Sequence, residues 1–184
     1  RMYNFLNNKG LVKDYKGIDP KPDNADILAK RYGQNSNFTH LNGYSTDFGN
    51  DIHNAEVVIS MDSLEHMPLP VRHKTIEMVA NSKCKYFLVN LPNEIGPILG
   101  IKNLGSYLMG YVRHREYSLK ETLWSSIGAW DRIEPHIDRH KGFDWHSVLY
   151  DLHFYFKGNV RVYTTASFIP RVLSPSIFIA CMRE

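Results

Sequence analysis

The sequence predicts an α/β domain built on a mostly parallel sheet that finishes in an antiparallel hairpin. Three observations lead there. Short β-branched or aromatic runs alternate with stretches of helical period. The run Ala55–Ser60 is nearly unbroken in apolar character, as a strand covered on both faces of a parallel sheet requires. Two further strand runs, Val160 to Phe168 and Ser176 to Cys181, close the sequence side by side.

In chain order, Met2 to Val12 reads as a short helix ending near Gly10, and Tyr15 to Asp19 as a brief strand stopped by Pro20 and Pro22. Asn24 is placed to cap the next helix, which carries Ala25, Ile27, Leu28 and Tyr32 near one face and stops at Gly33. Phe38 to Leu41 is a second short strand. Ala55–Ser60 is the expected central strand. Behind Pro68 and Pro70 comes a helix through Ala80 with Val71, Thr75, Met78 and Val79 on its expected buried face. Tyr86 to Leu91 is the next strand, ended by Pro92 and Asn93.

Residues 94–143 interrupt this rhythm with aromatic and glycine-containing sequence, which predicts a helical, mobile, lid-like insertion. Within it Ser118, Leu119, Lys120 and Glu121 match a capping box, with Leu119, Leu123, Ile127 and Trp130 following at helical spacing. Tyr107, Tyr111, Tyr117, Trp124 and Trp130 either stack on a substrate or form the core of a small subdomain. Asp144 then caps a helix with Trp145, Val148, Leu149, Leu152 and Phe156 on one face.

The 184 residues, 43% of them hydrophobic, suit one domain over 1–184. The 22 Lys+Arg against 19 Asp+Glu leave a formal charge of only +3, with the basic residues scattered. That balance predicts a small-molecule partner and no nucleic acid, and the lack of any run near the roughly 20 apolar residues of a membrane-spanning helix predicts no stable membrane insertion. Cys84 and Cys181 lie in separate apolar runs, the pattern of buried free thiols in a reducing, cytoplasmic compartment. Nothing in the sequence specifies an oligomeric state.

Sheets of this kind bind ligands at the carboxyl ends of their strands, which directs attention to four places. These are Asp19, the Gly43 to Asp47 loop, Ser60 to His66, and Pro92-Asn93. A carboxylate at Asp19 can accept hydrogen bonds from both hydroxyls of a nucleotide ribose, or it can simply form a turn before the following helix.

Three stretches together, Gly17-Ile18-Asp19-Pro20, Val57 through Met67 with its Leu64-Glu65-His66 block, and Leu88 through Asn93, resemble class I S-adenosylmethionine-dependent methyltransferases. The Leu-Glu-His block is similar to the branch acting on small molecules, quinones and sugars. The resemblance covers residues 1–93 best and implies a Rossmann-like sheet, S-adenosylmethionine as cofactor, and a sugar or lipid intermediate as acceptor. It implies that Asp19 holds the ribose with Pro20 beside it. Tyr44 and Ser45 would meet the adenine in place of the usual carboxylate, and Ser60, Met61 and Asp62 would line the methionine and adenine side. The family's first strand and glycine-rich loop have no counterpart in residues 1–18. The expectation is an upstream segment that supplies them, or else a catalytically silent binding module; a nicotinamide-dependent oxidoreductase is a further alternative.

His66, an imidazole directly after a strand end, is the candidate catalytic base for a hydroxyl acceptor; the alternative is a structural histidine in a block that packs and caps the crossover. His136 and His140 are spaced for one helix face, but Pro135 and Lys141-Gly142 argue against a long helix there. No metal is therefore expected, and Asp138, His140 and Trp145 are assigned to the substrate side.

Overall fold

The computed structural model describes residues 2–110, 117–134 and 140–183. Its contacts fall into two compact units, Arg1–Asn54 and Ala55–Glu184.

In the first unit, α1 (Met2–Asn8) precedes β1 (Tyr15–Asp19), α2 (Pro22–Tyr32), β2 (Phe38–Asn42) and α3 (Gly49–Asn54). The parallel pair β1–β2 runs in register from Tyr15 opposite Phe38 to Asp19 opposite Asn42. Its core is aromatic: the Tyr3 ring lies edge-on to Tyr15, Tyr32 and Phe38, with centroids 5.0–5.3 Å away. The Tyr3 hydroxyl donates to Asn37 Oδ1 at 2.6 Å, giving its polar end a partner. The first helix stops four residues short of Val12, and α3 lies in a stretch to which the sequence assigns no element. Lys21 occupies the N-cap of α2 and Pro22 its first turn, because a proline's missing N–H costs nothing there.

The second unit holds β3 (Val57–Met61), α4 (Leu69–Ala80), β4 (Tyr86–Pro92), α5 (Pro97–Leu108), α6 (Leu119–Ser126), α7 (Trp145–Phe156), β5 (Val160–Thr164) and β6 (Ser176–Met182). The sheet order is β3-β4-β6-β5. The β3–β4 pair is parallel, and β6 runs antiparallel to both β4 and β5. The mixed α/β class and terminal hairpin therefore hold. Phe87, Val89 and Leu91 of β4 and Ile177, Ile179 and Cys181 of β6 are buried, as are Ile76 and Val79 of α4 and Val148 and Leu152 of α7.

Two expectations need correction. Among the described residues β3 pairs only with β4, and Val57 and Met61 are 43% and 38% exposed, so this strand is not covered on both faces. An apolar run records affinity for a sheet, not position in it. Of the expected face of α4, Thr75 and Val79 are buried, but Arg72 and Ile76 join them in place of Val71 and Met78. Arg72 turns inward because Asp151 and Ser147 on α7 each accept from its Nη2 at 3.5 Å.

The described part of the insertion has its own core of Leu99, Tyr117 and Ile133, with Trp124 packed against it. That favours the subdomain reading for Tyr117. The subdomain is tied to the end of β4. Ser125 Oγ donates to Glu94 O at 2.8 Å, Gly96 N to Ser125 O at 2.9 Å, and Lys102 Nζ to the carbonyls of Asn93 and Pro175 at 2.9 and 2.8 Å.

Candidate functional site

The carboxyl end of β3 leads through Asp62 into a single 3-10 turn, Leu64–His66, which is anchored by the fully buried Leu64 side chain. Asp62 has φ +48°, a conformation that asparagine and aspartate tolerate better than most L-residues. It is held by Asn90 on β4, whose Nδ2 donates to Asp62 Oδ1 at 2.8 Å, while Asp62 N donates to Asn90 O at 3.2 Å. This places Ser60, Met61, Asp62, Glu65 and His66 in one short stretch at the strand end.

Anchoring by Leu64 turns the neighbouring Glu65 inward, and its side chain is 0% exposed. Among the described residues neither of its carboxylate oxygens has a hydrogen-bonding partner. Burial, reinforced by the negative charge of Asp62, raises its pKa from 4.5 to about 7. Two imidazoles face it: His66 Nε2 lies 4.0 Å and His140 Nδ1 3.7 Å from Oε1. The two rings are tilted against one another with centroids 4.7 Å apart. One ligand atom from each of Glu65, His66 and His140 falls within 4.8 Å of the others.

That arrangement fits a cation. A buried carboxylate without donors is costly, and a divalent ion is a compensating charge that two neutral imidazoles can share. Ligand atoms around one tetrahedral ion at bond lengths near 2.1 Å sit roughly 3.4 Å apart, so these three, within 4.8 Å of one another, would draw in by up to about an ångström to share an ion. One carboxylate with two imidazoles suits manganese, iron or zinc.

The other sequence-derived candidates lie as follows. Asp19 ends β1, where Oδ1 accepts from Lys21 N at 2.8 Å and Oδ2 from Asn24 Nδ2 at 2.7 Å. It thus builds the entry to α2, and each oxygen retains a second lone pair for a ribose hydroxyl. Asn24, expected as the helix cap, serves this bond instead. Pro20 is exposed beside it. Tyr44 is half exposed and Ser45 opens a 3-10 turn in which Asp47 Oδ2 accepts from Tyr44 N at 2.8 Å. The Ser60 hydroxyl is buried and has no hydrogen-bonding partner among the described residues. Trp145 is 5% exposed and stacked on His146 at the start of α7. Asp138 and His136 lie outside the described residues.

His140, assigned to the substrate side, is therefore found beside Glu65 and His66. Glu65 and Asn90 carried no role in the sequence reading. The signal for Glu65 was present, a carboxylate and an imidazole adjacent at a strand end, but the second imidazole comes from beyond the insertion.

No family model matches the sequence, and no curated protein matches it. Solved structures do. The methyltransferase domain of bacterial CtHen1-CN superposes with a TM-score of 0.65 at 9% identity, covering 99% of this chain and 83% of that one. The small RNA methyltransferase HEN1 gives 0.57 at 16% identity over 92% of this chain and 20% of that one. The CMeT domain of citrinin polyketide synthase gives 0.58 at 9% identity, over 98% of this chain and 42% of that one. These likenesses overturn the exclusion of nucleic acid, since the fold is shared with an RNA methyltransferase and with a component of an RNA repair complex. A net charge of +3 was too coarse a criterion, because local charge rather than the total governs such contacts. By strand order, helix placement and superposition, the chain has the Rossmann-like fold of class I S-adenosylmethionine-dependent methyltransferases.

Proposed function

We propose that this protein transfers the methyl group of S-adenosylmethionine to a hydroxyl oxygen of an RNA ribose, aided by a divalent cation held by Glu65, His66 and His140. The observation that carries this reading is the buried, donorless Glu65 carboxylate facing two imidazoles at the carboxyl end of β3. The likeness of fold to the small RNA methyltransferase HEN1 supports RNA as the acceptor.

In the transfer the sulfonium C–S bond breaks with its electron pair remaining on sulfur, an O–C bond forms, and the hydroxyl proton is released to solvent water. A hydroxyl is a poor nucleophile until that proton is loosened, and a bound cation supplies the polarisation. The residues of the chain have simpler tasks. Glu65 and the two histidines fix the cation, and Asn90 holds the Asp62 loop. Asp19 is the candidate for the cofactor's ribose, with Pro20, Tyr44, Ser45, Ser60, Met61 and Asp62 as further cofactor contacts. His66 passes from general base to cation ligand in this scheme. Among the described residues no helix is long and apolar enough to cross a membrane. The buried thiols of Cys84 and Cys181 support a cytoplasmic setting.

The test is methyl transfer from radiolabelled S-adenosylmethionine to single-stranded RNA by the full-length protein, with and without Mn²⁺. Cation-dependent labelling of RNA, lost on replacing RNA with DNA of the same sequence, is expected. Labelling that proceeds equally after exhaustive chelation refutes the cation's part, and none under any condition refutes the RNA acceptor.

A further inference from the structure

His140 lies in irregular chain, and four contacts fix its flank. The Lys141 ammonium reaches Glu121 Oε1 at 2.7 Å, with both side chains less than a fifth exposed. The same ammonium lies 5.8 Å from the centroid of the Tyr117 ring. Gly142 N donates to the Tyr117 hydroxyl at 3.1 Å. Phe143 N closes a turn onto His140 O at 3.1 Å.

These partners are themselves fixed. Glu121 belongs to the capping box of α6: its Oε2 accepts from Ser118 N at 2.9 Å, and its N–H donates to Ser118 Oγ at 3.2 Å. One carboxylate therefore spends one oxygen on the helix start and the other on Lys141. Tyr117 is buried in the insertion's core with Leu99 and Ile133. An unbroken series of contacts runs from that core through Tyr117 and Glu121 to Lys141 and Gly142, the two residues after His140.

We propose that Tyr117, Glu121 and Lys141 form a brace that positions the His140 imidazole against Glu65 and His66, so that the insertion contributes a ligand to the cation site. The proposal rests on the cation reading above. The brace fixes the two residues after His140 before a cation arrives, whereas a ligand on chain not so held must be ordered at the moment of binding. Tyr117, Glu121 and Lys141 touch no reacting atom; they are positioning residues.

The experiment measures Mn²⁺ binding to the full-length protein by calorimetry and records pulsed electron paramagnetic resonance of the bound ion, for wild type, Lys141→Met, Glu121→Gln, the double variant and Lys141→Arg. Wild type should show nitrogen coupling from two imidazoles. Lys141→Met and Glu121→Gln should each bind about tenfold or more weakly, the scale seen for outer-sphere partners of metal ligands, and retain coupling from one imidazole. The double variant should match the weaker single variant, because both changes break one contact. Lys141→Arg keeps the charge and should stay within about threefold of wild type. Affinity for S-adenosylmethionine should not change in any of them. Tyr117→Phe, which keeps the ring in the core and removes only the hydroxyl, supplies the same comparison if Lys141→Met fails to fold. Wild-type affinity and two-imidazole coupling throughout the series overturn the brace alone. Absence of Mn²⁺ binding by wild type overturns the cation reading and the brace with it.

Discussion

Glu65 is placed at a cost in the metal-free protein, and its titration exposes that cost. Its carboxyl is held up to about 7 against 4.5 in the unfolded chain, so the folded state binds this proton more tightly. Its contribution to stability is present below pH 4.5 and falls away as the pH rises through about 7, to a total on the order of 3 kcal/mol. Glu65→Gln should therefore raise the melting temperature of the metal-free protein at pH 8, while removing the stabilisation that Mn²⁺ gives wild type; scanning calorimetry with and without the ion reads both. Asp19 makes a different prediction. Asp19→Ala should weaken S-adenosylmethionine binding by roughly ten- to a hundredfold, the value of a charge-assisted hydrogen bond. Equal affinity in calorimetry would leave Asp19 as the turn that starts α2, which its bonds to Lys21 and Asn24 already make it.

Among elements, the insertion shows where sequence reading succeeds and where it ends. The Ser118-to-Glu121 capping box and the Asp144 cap of α7 lie where they were read, because both are local patterns of a few residues. Helix α3 and the burial of Arg72 were not legible: one lacks an apolar stripe, and the other depends on Asp151 from a distant helix. The site follows the same division. The Leu64-Glu65-His66 block was visible as a motif, yet Glu65 acquires meaning only once His140 arrives from beyond the insertion. Two predictions belong here. Leu99 is 0% exposed at the centre of the insertion's core, and Leu99→Ala should lower stability by about 2–5 kcal/mol in urea unfolding. Lys141 holds the Glu121 carboxyl down to about 2. Glu121 therefore adds stability that is present above its unfolded value of 4.5 and is lost as the pH falls toward 2. Tryptophan fluorescence should show a transition in that window that Glu121→Gln removes.

For the molecule as a whole, the spread of the basic residues limits how RNA can be held. The 22 Lys+Arg are scattered along the sequence with no dense run, so few phosphates are expected to be neutralised at once. Each phosphate contact on a single strand contributes about −0.7 to the slope of log affinity against log salt, so a slope no steeper than about −2 is expected. Fluorescence anisotropy of a labelled RNA across a salt series measures it. A steep slope would instead reveal a concentrated basic surface that the composition conceals. Recognition through few phosphates leaves more of the selectivity to the ribose and base that enter the site.

The backbone at Asp62 also bears on which sequences can occupy that position. At φ +48°, most side chains crowd their own carbonyl, while glycine is free of this penalty and asparagine nearly so. In a saturation library sorted for folding, Asp62 should accept glycine and asparagine and reject valine, isoleucine and other β-branched residues. Sorted for methyl transfer, glycine should drop out, since it offers nothing to Asn90 and no carboxylate beside Glu65. The gap between the two tolerated sets would separate what the turn demands of this position from what the chemistry demands, whichever hydroxyl receives the methyl group.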